Sequence, residues 1–337
     1  VWAIPPDTLL RYGPDGIFAD NFELAREGNS IKLQSQSAGP NAPLEVTFTD
    51  FQLKTITNML KKDDVIADGT LNGSVLLKNL TGQTGFTSDL NIKDFAFKGE
   101  KVGDIAIKVN NETADRYTAD VDITGNGNDV KIDGYYQAST QSFNLDLLME
   151  HLNIAAIQGF TSGNIKDGKG YLSGNFKVTG TADKPNINGD LQFNDVAFRV
   201  TQLNSYFKDI NEKVTVNNQG IYFDKFTVYD EKNNKLSVNG AVLTQDFRNY
   251  NFDLGIVADN FRAVNSRAND NDLYYGDLFI DANLKVDGTM DNPIIGGNIK
   301  INEDTKFTVV LPQSDPGIAE REGIVESTLI DRRAVGA

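Results

Sequence analysis

The chain has one histidine, His151, and no cysteine. That removes thiolate nucleophiles, disulfides, Cys-based zinc sites and nearly every His-dependent constellation. His151 follows Leu147-Leu-Met-Glu at an expected strand-to-helix junction, where a polar junction residue is the plain reading. Carboxylates come in pairs, Asp120/Asp122 and Asp129/Asp133. Two carboxylates can hydrolyse a glycoside, but these occupy the polar phase of alternating segments and are expected on a solvated face. Gly125-Asn-Gly-Asn-Asp129 and Asn269-Asp-Asn-Asp272 offer oxygen ligands without the twelve-residue spacing or closing Glu of a calcium loop, so they read as turns. Gly180-Thr181 and Gly288-Thr289, followed by Pro185 and Pro293, lack phosphate-loop surroundings and read as turn residues. No catalytic residue, metal ligand or cofactor is expected, and the chain reads as a non-enzyme.

The elements that carry these residues alternate apolar and polar with a period of two: Leu71, Gly73, Val75, Leu77; Tyr117, Ala119, Val121, Ile123; Leu172, Gly174, Phe176, Val178; Leu278, Ile280, Ala282, Leu284, Val286. This is the signature of strands with one apolar and one wet face. Roughly twenty strands of about 5–9 residues are expected, joined as antiparallel hairpins by turn clusters such as Asn217-Asn-Gln-Gly220. The period drifts toward helical at Leu53, Ile56, Met59, Leu60, at Ile154, Ile157, Phe160, and at Phe261, Val264. Short helices are therefore expected near 54–62, 153–161 and 261–267, and 202–210 reads as a further short helix or a covering loop.

With 32 basic against 47 acidic residues, the net charge is −15. That argues against a nucleic-acid partner and against electrostatic adhesion to anionic lipid headgroups. No run of 18 apolar residues is present. A start at Val1 in mid-pattern reads as a piece of a longer protein.

The segment Gly174-Asn-Phe-Lys-Val-Thr-Gly180-Thr-Ala-Asp-Lys-Pro185-Asn-Ile187-Asn-Gly189-Asp-Leu191 recurs 108 residues later as Ala282-Asn-Leu-Lys-Val-Asp-Gly288-Thr-Met-Asp-Asn-Pro293-Ile-Ile295-Gly-Gly297-Asn-Ile299. Leu44–Gly73 aligns without a gap on Leu145–Gly174 at an offset of 101. About three tandem units follow, near 20–120, 121–228 and 229–312, with 313–337 as an extension. Strands follow strands across each junction and no unit holds a tryptophan, which argues against separate sandwiches. Polar loops and low mean hydropathy argue against a membrane barrel. The remaining solution is all-β: one long curled antiparallel sheet, 1–337, forming a U-shaped apolar groove with a few short helices.

The repeated Gly-x-φ-x-Val-x-Gly-Thr-x-x-x-Pro-x-Ile-x-Gly-x-φ (φ apolar), at 174–191 and 282–299, resembles the TamB family of AsmA-like envelope proteins. The closing stretch from Phe307 to Val325 is similar to the C-terminal part of TamB-like proteins of the Bacteroidetes branch. The resemblance implies a bridge-like lipid transfer protein of the Gram-negative periplasm, anchored in the inner membrane and reaching the outer one. It implies phospholipid acyl chains as cargo, and an Omp85-type barrel of the TamA kind as partner in outer-membrane protein assembly. The expected groove lining is Leu71, Val75, Leu77, Leu90, Ile92, Val121, Ile123, Phe143, Leu145, Leu147, Leu172, Phe176, Val178, Ile187, Leu191, Phe193, Phe252, Leu254, Ile280, Leu284, Val286, Ile295, Ile299 and Ile301. The residues alone serve an ordinary packed core equally well; the resemblance favours the groove. The alternative function is an extracellular adhesin or scaffold of tandem β-sandwich modules.

Overall fold

The computed structural model describes residues 2–310 apart from 15, 40, 60–65, 83, 114 and 271. The expected extension at 313–337 lies outside the described residues, as do positions 60–62 of the first expected helix. In chain order the strands are β1 (Leu9–Gly13), β2 (Gly16–Asp20), β3 (Phe22–Arg26), β4 (Asn29–Ser35), β5 (Leu44–Gln52), β6 (Ala67–Lys78), β7 (Gly85–Phe97), β8 (Glu100–Thr113), β9 (Arg116–Gly125), β10 (Asn128–Gln137), β11 (Ser142–Asn153), β12 (Ile165–Thr181), β13 (Pro185–Val200), β14 (Ser205–Ile210), β15 (Lys213–Asn217), β16 (Gly220–Tyr229), β17 (Lys235–Leu243), β18 (Asn251–Ser266), β19 (Tyr274–Thr289), β20 (Pro293–Ile301) and β21 (Lys306–Val309). Two helices interrupt them, α1 (Lys54–Met59) and α2 (Ile154–Gln158), the latter running into a 3-10 turn at Gly159–Thr161.

β1 and β2 pair with each other, and β3 to β21 form one antiparallel sheet in which neighbours in sequence are mostly neighbours in space. The exceptions are at β19, which pairs with both β20 and β21, and at β13. Its Gly189–Gln192 stretch pairs with β15 and its Val196–Val200 stretch with β14, and both partners touch β16. The ladder therefore contains a closed ring, but a small one. Among the described residues no register joins β3 to β20 or β21, and every residue of β20 is exposed. The sheet has two ends.

Many strands are longer than the expected 5–9 residues; β12 has 17. β-bulges let them continue through a bend. β5, β7, β16 and β18 each insert one extra residue against the next strand, and β13 inserts one against the segment joining β14 to β15, so that two residues face one. Each time the second of the two adopts positive φ: Asp50, Asp94, Asp195, Lys225 and Asn260. Each time its N–H donates to the side chain opposite: Asn72 (2.8 Å), Asp104 (2.9 Å), Asn211 (2.7 Å), Asn239 (3.3 Å) and Asp281 (2.8 Å). A bulge frees a backbone N–H and bends its strand. Here an Asn or Asp across the ladder accepts that N–H, and the bulges form a band across the sheet: a crease. The geometry also follows the offset of 101. The shift between Phe48 and Phe51 opposite Gly73 and Leu71 recurs between Met149 and Leu152 opposite Gly174 and Leu172, and a helix follows each.

The bulges correct one expected helix. Residues 261–267 belong mostly to β18. Register shifts between Ala258 and Phe261 and between Arg262 and Val264 put three apolar residues on one face at a spacing of three while the chain stays extended. Nor is 202–210 helical: a turn leads into β14, which crosses toward β18, where Ser205 Oγ donates to the Ala263 carbonyl (2.9 Å) and Asn265 N–H to that of Leu203 (3.0 Å). The other two expected helices are α1 and α2 with its 3-10 turn.

Buried side chains gather along the crease: Ile154 of α2 packs with Leu172, Val196, Ile210, Val228, Ala258, Phe261 and Ala282. Beneath it Glu231 takes Arg199 from β13 (3.4 Å) and Arg262 from β18 (2.9 Å), drawing those strands together under β16 and β17. The bulge bond is tested at Asn239. Asn239→Ala should lower unfolding free energy by about 1 kcal/mol, one hydrogen bond's worth. Asn239→Asp keeps the acceptor and should cost less; urea unfolding followed by circular dichroism measures both.

Candidate functional site

Register decides which residues share a face. Across β9, β10, β11, β12 and β13, one rung reads Val121, Ile132, Leu147, Phe176, Gly189 and the next Ile123, Val130, Met149, Gly174, Leu191. Toward the C-terminal end, Val242, Phe252 and Gly288 lie in one row and Leu254, Val286 and Ile295 in another. Toward the N-terminal end Phe51, Leu71, Ile92 and Ile105 are opposed. Every expected lining residue stands on this one apolar face.

They do not share one environment. Leu71 and Leu172 are buried, and Leu191, Phe193, Ile280 and Leu284 pack against the crease core. Val75, Leu77, Leu90, Ile92, Val121, Ile123, Phe143, Leu145, Leu147, Phe176, Val178, Ile187, Phe252, Leu254 and Val286 are half-buried. Ile295, Ile299 and Ile301, on β20, are 59–64% exposed. The floor along the crease is filled by the protein's own side chains, while the walls are apolar and open to contact.

The same face holds Phe223, Phe226 and Val196, which simple alternation missed. Phe223 and Phe226, and the expected Phe193 and Val196, sit three apart because a bulge lies between. Phe193 meets Phe226 edge-on (5.1 Å between ring centroids), and Phe207 joins Phe198 and Phe261 (6.1 and 5.5 Å). Away from the crease, Tyr117 lies between Phe86 (5.3 Å) and Tyr136 (6.5 Å) and donates its hydroxyl to the Thr84 carbonyl. Such half-wet aromatics suit a boundary between oil and water.

The polar candidates have structural partners. His151 stacks on Tyr171 at 3.6 Å. Asp120 faces Lys108 and Asp133, and Asp133 faces Asp146, all exposed on the outer side. Asn128, inside the first calcium-like segment, is buried and pins two strands: it donates to the Val102 carbonyl (2.6 Å) and accepts the Asn153 N–H (2.7 Å). Among the described residues no cluster of three or more His, Cys, Asp and Glu is placed to hold a metal ion. The repeated Gly-Thr-x-x-x-Pro is a hairpin turn. Gly180 and Gly288 have φ of +91° and +83°, and a Cβ there would lie 2.4–2.5 Å from the Lys184 or Asn292 carbonyl oxygen. Thr181 and Thr289 hydroxyls accept the N–H of those same residues (3.2 and 3.1 Å). Pro185 and Pro293 then open the next strand opposite the glycines.

A family model described as the TamB C-terminal domain matches residues 122–220 and 224–333. The chain belongs to the TamB family. The two matched stretches meet inside β16, a continuous strand, and each contains one copy of the hairpin-turn repeat. No curated protein and no solved structure matches the chain. TamB proteins belong to translocation and assembly modules of the bacterial envelope. In this TamB chain no helix among the described residues is long and apolar enough to cross a membrane.

The loop between β17 and β18 braces the end of the sheet away from the crease. Arg248 pairs with Asp183 (2.9 Å) and donates to the Ala182 carbonyl (3.1 Å), bridging to the β12–β13 turn. Asp246 organises that loop. The N–H groups of Asn249 and Arg248 and the Asn249 amide hold its carboxyl down to about 2. Asp115, Asp190 and Asp281 are also lowered, chiefly by hydrogen bonds from Ser139, Lys213 and Asn302 respectively. Each folded-state pKa lies below the unfolded value, so the stabilisation is complete above about pH 4 and is lost as pH falls through the folded values. The thermal midpoint should drop between about pH 4 and pH 2, and Asp246→Asn should shallow that slope in a circular-dichroism pH series.

Proposed function

We propose that this chain forms part of a periplasmic, non-enzymatic conduit that shields phospholipid acyl chains between the inner and outer membranes. The observation that carries the reading is the single apolar face, aligned rung by rung from β3 to β20, whose walls the protein leaves half-open. Acyl chains in water cost ~0.8 kcal/mol per CH₂, so a phospholipid with two sixteen-carbon chains carries on the order of 20–25 kcal/mol of exposed apolar surface. A wall of Val, Leu, Ile and Phe removes much of that cost. It also offers similar contacts along its length, so cargo meets no deep well. Polar headgroups stay at the open seam.

The full-length protein is proposed to be anchored in the inner membrane and to reach an Omp85-type barrel of the TamA kind, with a role in outer-membrane protein assembly. The whole of 1–337 is proposed to act as one body. In support, the expected unit borders near 120 and 228 fall inside strands β9 and β16, whose ladders run on. A string of sandwich modules, the scaffold reading, would break there.

Photocrosslinking groups placed at Phe143 and Phe252 in the purified chain should capture phospholipid, identified by mass spectrometry. Phe143→Asp combined with Phe252→Asp should abolish capture by a reporter at Val178 while leaving the circular-dichroism spectrum unchanged. Failure to capture any lipid at these half-open positions, or proteolytic release of stable ~100-residue pieces typical of sandwich domains, would overturn the reading.

A further inference from the structure

The apolar face is not equally free along its length. At the β3 end the segment from Trp2 to Asp20 lies across it. Trp2 reaches over the sheet edge to pack on Phe51, with ring centroids 6.1 Å apart, and Phe51 is 2% exposed. Ala3 and Ala25 exchange both backbone hydrogen bonds on the outer edge of β3 (2.8 and 3.0 Å). Away from the crease, β2 bends at Asn21 and crosses β4: Ala19, fully buried, donates its N–H to Ser35 Oγ (3.0 Å). Ser35 stands opposite Leu44 on the apolar face, and Leu44 is 2% exposed. Gly16 continues toward Leu80 and Thr81. The segment thus meets the apolar face at two places, Phe51 beside the crease and Ser35 beside Leu44 at the outer end.

It is attached by the Ala3 bridge, the Trp2 contact and two side-chain hydrogen bonds, Ala19 N–H to Ser35 and the Gln34 amide to Asp20, and by no strand ladder to the sheet. Among the described residues β1 and β2 pair only with each other, and a lone two-stranded hairpin is marginal in water. Ile4, Leu9, Leu10 and Tyr12 remain exposed on it, so it covers apolar surface while keeping apolar surface of its own in solvent.

We infer that residues 2–20 are a displaceable strap that competes with acyl chains for the apolar face at the β3 end. This rests on the acyl-chain reading above and adds a control to it. Cargo held on the walls of β7 to β19 does not reach Phe48 and Phe51 until the strap lifts.

The chain contains no native cysteine, so the strap can be locked. Ala3 and Ala25 form a hydrogen-bonded antiparallel pair, a class whose Cα separation of about 5.5 Å suits a disulfide. In Ala3→Cys/Ala25→Cys, photocrosslinkers at Phe48 and, separately, at Phe143 are offered diheptanoyl phosphatidylcholine below its micelle concentration. Capture at Phe48 should fall several-fold in the oxidised protein and return on reduction, while capture at Phe143 stays constant. In a second variant, Ala19→Cys, the thiol should resist a water-soluble maleimide without lipid and react once lipid is added. Equal capture at Phe48 in both redox states, or a Cys at 19 that stays protected while Phe48 is crosslinked, overturns the strap and leaves capture at Phe143 in support of the groove. No capture at either position overturns both.

Discussion

The structure depends on register. A strand's side chains alternate with a period of two, so slipping one strand by one residue would turn its whole apolar set toward water. From β3 to β20 that slip does not occur: Leu24 faces Ile31, Val46 faces Val75, Ile107 faces Val121, and Val286 faces Ile295. Because each rung is apolar on the same side as the last, the sheet acquires one oily surface far larger than any strand could present alone. The glycines keep it passable for bulky neighbours. Gly189 stands opposite Phe176, and a Cβ there would lie 2.7 Å from the Phe176 ring.

An oily surface of that size has to bend, and the bulge band shows how. Five of the bulges each create one orphan N–H and answer it with one Asn or Asp from across the ladder. The residues at the bend then bury themselves around Phe261, Val196 and Ile154, while those farther out stay half-open. A filled floor with unfilled walls separates this architecture from a packed sandwich, where both would be closed. Exposed ion pairs on the outer face, such as Lys177–Asp146 and Lys213–Asp190, contribute little to stability but keep that face wet.

The alternation was legible in the sequence because it is a local property: Leu172 to Val178 announces a strand whatever its neighbours do. So were the repeated hairpin turns, since Gly180 and Pro185 have backbone reasons for being where they are. The bulges were not legible. An extra residue in an extended chain gives the same spacing of three as a helical turn, which made Phe261 and Val264 resemble a helix. It also hid Phe223 and Phe226 from a search for strict alternation. Nor could periodicity separate Leu172, in the floor, from Val178, on the wall. Both lie on the apolar face of one strand, and only the position of the bend distinguishes them.

The central claim is that the walls form a surface left free for a foreign chain. Nitroxide labels placed singly along β12, at Asn175, Phe176, Lys177 and Val178, and read by electron paramagnetic resonance against a water-soluble nickel relaxant, test it most directly. With phospholipid added, collisions with the relaxant should fall at 176 and 178 and stay unchanged at 175 and 177. Indifference to lipid at all four positions, or an equal fall at all four, would contradict it.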